Sequence, residues 1–117
     1  MSHRFIAFDV ALEFAERLAP VLVALRRRDR SLEDQLRRAV ASCVLNISEG
    51  DGKSSLRDQA RFFEIARGSC REARAALKLA ATWGYVDERQ VAGLDALADR
   101  VCALLSRLIA RASLTSR

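Results

Sequence analysis

A chain of 117 residues supports one hydrophobic core and one domain, 1–117, because a second core needs about 50 residues of its own. Half of the residues are hydrophobic, Ala, Leu and Arg dominate, and one Pro and five Gly are present; straight-chain side chains lose little freedom in a helix, so the fold class is all-α. The net charge is +5 and 18 of the 20 basic residues are Arg; this points to a polyanionic partner, or to a GC-rich genome that writes Arg where another writes Lys. No apolar run approaches the roughly 20 residues that span a bilayer, and Met1–Phe5 lacks signal-peptide anatomy, so a cytoplasmic location with no membrane partner is expected.

The first helix is expected over about residues 9–28, on a stripe of Leu12, Ala15, Leu18, Ala19, Leu22 and Leu25. Pro20 removes a backbone donor and crowds the carbonyl of Glu16, predicting a kink or a helix that starts anew there. Arg26, Arg27 and Arg28 fall where the helix dipole favours positive charge. A second helix, about residues 32–49, opens at Ser31 with Asp34 three residues on and buries Leu32, Leu36, Ala39, Val40, Cys43, Val44 and Ile47. Gly50 is expected to end it, with Gly50 and Gly52 supplying positive φ angles in a turn.

Ser54 or Ser55 is the expected cap of a long third helix, about residues 55–82, with an apolar face of Phe62, Phe63, Ile65, Ala66, Cys70, Ala73, Ala76, Leu77 and Ala80. Gly84 stops it. Asp87 and Gln90 resemble a capping box for a fourth helix over about residues 88–113, whose core face is Val91, Leu94, Leu97, Ala98, Val101, Leu104, Leu105, Leu108 and Ile109. Short connectors between helices of similar length predict an up-down-up-down antiparallel four-helix bundle.

Signals for catalysis are missing. A di-iron bundle needs Glu-x-x-His pairs, yet His3 is the only histidine. Zinc hydrolysis and phosphate-loop motifs are absent, and no Ser or Cys has a histidine base within reach. Cys43, Cys70 and Cys102 are odd in number and lie in apolar patterns, which reads as small core residues rather than a metal or disulfide framework. The expectation is a protein without enzymatic activity, metal or cofactor.

Positive charge is the organised feature. At 100° per residue, Arg89, Arg100, Arg107 and Arg111 project within roughly 40° of one another on helix four. Arg57, Arg61, Arg67, Arg71, Arg74 and Lys78 fall within roughly a 140° arc on helix three. Merged, these faces would make a ridge of phosphate contacts whose binding is salt-sensitive and sequence-tolerant. The competing reading is a solvated outer surface balanced locally by carboxylates such as Glu64 and Glu72. Phe14, Phe62 and Phe63 read as core, whereas Trp83 and Tyr85 either pack around the Gly84 turn or face a subunit or a base.

Gln35-Leu36-Arg37-Arg38-Ala39, Asn46-Ile47-Ser48-Glu49-Gly50 with Gly52, Phe62-Phe63-x-Ile65-Ala66-x-Gly68-Ser69-x-x-Glu72 and Gly84-Tyr85 together resemble the family of 23S rRNA intervening-sequence proteins over about residues 35–86. That family is similar to the accessory variability determinant proteins of diversity-generating retroelements. The resemblance implies an up-down bundle assembled as a ring-shaped homopentamer, basic enough to bind nucleic acid and without catalysis. It makes Asn46, Glu49, Gly50, Gly68 and Gly84 structural motif residues, Asn46 being read as a strut that ties the Gly50 turn to a neighbouring helix. The function expected is an accessory protein that binds RNA or DNA backbone through Arg57, Arg61, Arg67, Arg71, Arg74, Lys78, Arg100, Arg107 and Arg111. The alternative is an adaptor that docks a retroelement reverse transcriptase.

Overall fold

The computed structural model describes residues 3–115; residues 1, 2, 116 and 117 of the expected 1–117 domain lie outside the described residues. Four helices follow in order: α1 His3–Arg26, α2 Arg30–Asp51, α3 Leu56–Thr82 and α4 Glu88–Thr115. Each packs on its chain neighbour, and α1 closes against α4. The result is an antiparallel bundle 48 Å long and 22 Å across. Side-chain contacts show the antiparallel direction of two pairs: Ser42 meets Ser69 and Gly50 lies against Phe63 across α2 and α3, and Arg67 and Arg74 reach Ser106 and Asp95 across α3 and α4.

Chain ends of the helices are held by local hydrogen bonds. Asp29, rather than Ser31, caps α2 by accepting the Leu32 N–H at 3.0 Å, since a carboxylate just before the first helical residue reaches the orphan donors of the first turn. Ser55 caps α3 by accepting the Asp58 N–H at 3.1 Å. Asp87 Oδ1 accepts the Arg89 N–H at 2.8 Å at the start of α4. The end of α3 is a complete Schellman turn: the Gly84 N–H donates to Ala81 O, the Tyr85 N–H donates to Ala80 O, and Gly84 sits at φ 75°.

The core comes from all four helices, with Phe14, Leu18, Leu25, Leu36, Ile47, Phe63, Leu77 and Leu105 fully enclosed. Three expectations change. First, α1 begins at His3 and runs unbroken through Pro20, which lies on the exposed side. Its buried face is Ala7, Val10, Ala11, Phe14, Leu18, Val21 and Leu25, while Leu12 stays 43% and Val23 61% exposed; α1 is apolar on nearly every side, so periodicity alone does not select the inward face. Second, Ile65 is 51% exposed, because it sits one step outside the arc that Phe63, Ala66, Cys70, Ala73 and Leu77 turn inward. Third, α4 continues past Ser113 to Thr115.

Gly50 also departs from expectation. It lies inside α2, which ends with Gly52 at φ −79°, and Gly84 is the one described glycine with positive φ. A Cβ at Gly50 would stand 2.7 Å from a ring carbon of Phe63 and 3.1 Å from the Phe62 Cβ. Glycine is needed there for close helix approach rather than for a turn. At Gly68 a Cβ would meet nothing within 4 Å, so packing makes no such demand.

Candidate nucleic-acid interface

Sequence-derived basic residues divide into those that α4 has taken up and those left outside. Arg74 is taken up: its guanidinium makes a two-pronged contact with Asp95 at 2.8 and 3.1 Å and a third with Asp99 at 3.1 Å. Both Arg74 and Asp95 side chains are 22% exposed. The Asp95 hydrogen bond raises the Arg74 pKa, and the same bond holds the Asp95 carboxyl below the usual range against its partial burial. Arg74 is therefore a brace between helices and not an open phosphate contact, because its donors are spent on two carboxylates. Arg67 is half-buried and donates to Ser106 Oγ at 3.0 Å.

Arg57, Arg61, Arg71 and Lys78 on α3, and Arg89, Arg100 and Arg107 on α4, are exposed and form no ion pair among the described residues. Arg111 is exposed on the same face of α4 but already makes an interaction of its own. The expected merging of the two faces does not occur along the whole seam. Asp95, Asp99 and Ser106 occupy the α4 flank turned to α3, whereas Arg89, Arg100 and Arg107 project roughly 105° further round the helix. Carboxylates thus divide the α3 and α4 basic faces for the half of the seam nearest Arg74. Towards the other end, Arg57 and Arg61 share an open cleft with Glu64, Ala60, Ala112 and Ser113.

The outer α4 face is chemically uniform. Between its arginines lie Gly93, Ala96 and Ala103, all exposed, while Ala92 and Ala110 border the flank that carries Asp95 and Asp99, the latter 68% exposed. Small side chains leave the guanidinium groups standing proud, over about 27 Å from Arg89 to Arg107 at 1.5 Å per residue.

The block Asn46–Gly50 is structural in its observed contacts. Asn46 Nδ2 donates to Ser42 O at 2.8 Å and to Ser42 Oγ at 3.2 Å, and Ser42 Oγ shares a 2.7 Å hydrogen bond with Ser69 Oγ. The strut therefore runs back one turn along α2 and crosses to α3 through Ser42, not directly from Asn46. Glu49 pairs with Lys53 at 3.2 Å, and Lys53 Nζ lies 5.1 Å over the Phe62 ring. Replacing Asn46 with Ala removes a net hydrogen-bond contribution of about 1 kcal/mol, so a melting-temperature fall of about 4 °C with unchanged nucleic-acid affinity is expected in paired calorimetry and binding measurements.

Cys43, Cys70 and Cys102 are buried and free. Cys70 Sγ donates to Ala98 O at 3.4 Å. The neighbouring Cys102 thiol pulls the Cys70 pKa down, but the Cys43 thiol and burial outweigh it and push the value up to about 12. Cys102 is raised by its contact with Cys70 and by burial. Protonated, enclosed thiols of this kind are poor nucleophiles and poor ligands, and no group of His, Cys, Asp or Glu among the described residues is arranged to hold a metal ion. No helix of the described residues is long and apolar enough to cross a membrane.

The fold and its surface define a class: an antiparallel four-helix bundle with a packed interior and an arginine-rich exterior. Within that class the chain belongs to the 23S rRNA-intervening sequence protein family, whose profile matches residues 4–107. A crystal structure at 1.70 Å of a protein of unknown function from the S23 ribosomal protein family of Bacteroides thetaiotaomicron VPI-5482 is similar in fold. Its TM-score is 0.82 at 24% identity, over 88% of this chain and 97% of that one. No curated protein matches the chain.

Proposed function

We propose that this protein is a non-enzymatic accessory protein that binds nucleic acid, RNA in the first instance, through the outer face of α4 as a basic homo-oligomeric bundle. The observation that carries the reading is the row Arg89, Arg100 and Arg107, in no ion pair among the described residues, with the small residues Gly93, Ala96 and Ala103 on the same arc. Each such contact releases condensed counterions when it neutralises a phosphate. Arg57, Arg61, Arg71 and Lys78 extend the positive surface on α3. The family name supports an RNA setting. Self-association, as the homopentamer that the family resemblance implies, is supported by α1: Leu12, Ala19 and Val23 are exposed and continue outward from Phe8 and Ala15, which are half-buried at the edge of the core. Light scattering of the purified protein measures the copy number.

The test is the salt dependence of binding to an RNA oligonucleotide, measured by anisotropy. The wild type is expected to lose affinity linearly in log–log form with rising salt. The double substitution Arg100→Gln with Arg107→Gln is expected to lower the slope by about 1.5–2 and to weaken binding about tenfold at low salt. An unchanged slope removes α4 from the interface. If the wild type binds no RNA at low salt, the adaptor reading, in which the basic surface docks a retroelement reverse transcriptase, replaces this one.

A further inference from the structure

The α1–α2 and α3–α4 turns lie at the same end of the bundle and touch: the Arg28 guanidinium stands 5.6 Å over the Tyr85 ring. Beside Tyr85 is Trp83, the sole tryptophan of the chain, with ring centroids 5.9 Å apart and planes at 72°. In an edge-on pair the tyrosine covers at most one indole face, and Trp83 remains 54% exposed. Its backbone is fixed, because Trp83 is the cap residue of α3, donating its N–H to Leu79 O at 3.0 Å and followed by the Gly84 Schellman turn. An indole carried on a fixed backbone and left open to solvent is a ready stacking surface.

Arginine is plentiful at the same end of the bundle. Arg26, Arg27 and Arg30 are exposed and form no ion pair among the described residues. The acids at this end are mostly engaged: Glu33 and Asp34, which share a cleft with Arg26 and Arg30, are held by Arg37 and Arg38. Asp29 and Asp87 accept backbone N–H groups as helix caps. Glu88 remains as an acid with no such bond among the described residues. The α4 face offers phosphate contacts alone, whereas this end joins an open aromatic ring to a group of guanidinium donors.

We infer that this end of the bundle is a second nucleic-acid site, which takes an unpaired base on the free face of Trp83 and the flanking phosphates on Arg26, Arg27 and Arg30. The inference rests on the nucleic-acid reading above and specifies its ligand as single-stranded. A base inside a duplex has both faces stacked and offers none to the indole, so the site discriminates strandedness without reading sequence.

Because Trp83 is the sole tryptophan, its emission reports this site directly. Full-length protein is titrated with oligoadenylate RNA and with the corresponding adenylate–uridylate duplex, following Trp83 emission, while anisotropy of dye-labelled RNA reports total binding. Expected are strong quenching by the single strand and little by the duplex. Trp83→Ala is expected to lose about tenfold in single-strand affinity with duplex affinity unchanged, and Trp83→Phe to recover most of the loss. Arg100→Gln with Arg107→Gln, on the other face, should keep the quenching at saturation. RNA binding with unaltered Trp83 emission and full affinity of Trp83→Ala sinks this site while leaving the α4 interface standing. Absence of RNA binding by anisotropy overturns both. Emission already blue-shifted without RNA, in step with protein concentration, assigns Trp83 to a protein contact instead.

Discussion

Gly50→Ala is expected to melt below the wild type, although alanine is the better helix former by up to about 1 kcal/mol in a helix interior. The added Cβ would fall 2.7 and 3.0 Å from two ring carbons of Phe63 and 3.1 Å from the Phe62 Cβ. Phe63 is 1% exposed and cannot swing into solvent; the ring or the α2–α3 spacing must shift. Overpacking of this kind costs about 1–3 kcal/mol, which leaves alanine about 1 kcal/mol less stable after its helix gain. Valine adds two methyl groups to the same contact, and Gly50→Val is expected to lose about 3 kcal/mol. At about 4 °C per kcal/mol for a chain of this length, thermal melts by circular dichroism should show falls of about 4 and 12 °C. A Gly50→Ala protein as stable as the wild type would show that Phe63 yields without cost. Measured in a Phe63→Leu background, Gly50→Ala should cost less than in the wild type, since the two positions share one space.

Arg74→Ala is the other large loss, about 2 kcal/mol, because it strands the Asp95 carboxylate at 22% exposure without its partner. Asp99, 68% exposed, is rehydrated at little cost. Arg74→Lys should recover only part, as an ammonium cannot make the two parallel bonds seen at 2.8 and 3.1 Å. The contact also gives stability a pH signature. Hydrogen bonding to Arg74 lowers the folded-state pKa of Asp95, so its contribution is complete above the ordinary aspartate value of about 3.9 and disappears as pH falls through the lower folded value. Denaturant titrations should therefore find wild type more stable than Asp95→Asn at neutral pH, with the difference closing below about pH 4. A difference that persists unchanged into strong acid would mean that the Asn side chain disturbs packing and that the ion pair contributes little.

Much of the bundle is legible in the residue pattern. On α2 and α4 apolar residues recur at one helical period with charge on the other side, so the faces containing Leu36, Cys43 and Ile47, and Leu94, Val101 and Leu105, can be read without coordinates; all six are buried. The Ser55 cap and the Gly84 stop are equally local, because each depends on hydrogen bonds within a few residues. On α1 the same reasoning selects Leu12 for the stripe and leaves out Val10 and Val21, since an all-round apolar helix has no unique inward direction.

The site shows the same boundary more sharply. Sequence by itself determined that α3 and α4 carry arginine on their outer arcs, because a helical wheel depends only on spacing along one chain segment. Only the tertiary structure decided that Asp95 and Asp99 would take Arg74 out of the α3 arc, that Gly50 would admit the Phe63 ring, and that Arg28 would meet Tyr85. Each of those facts concerns two segments separated by a helix length or more, or brought face to face by a turn. The distance between such segments is set by how side chains fill the space between helices, a quantity that no single-helix pattern contains.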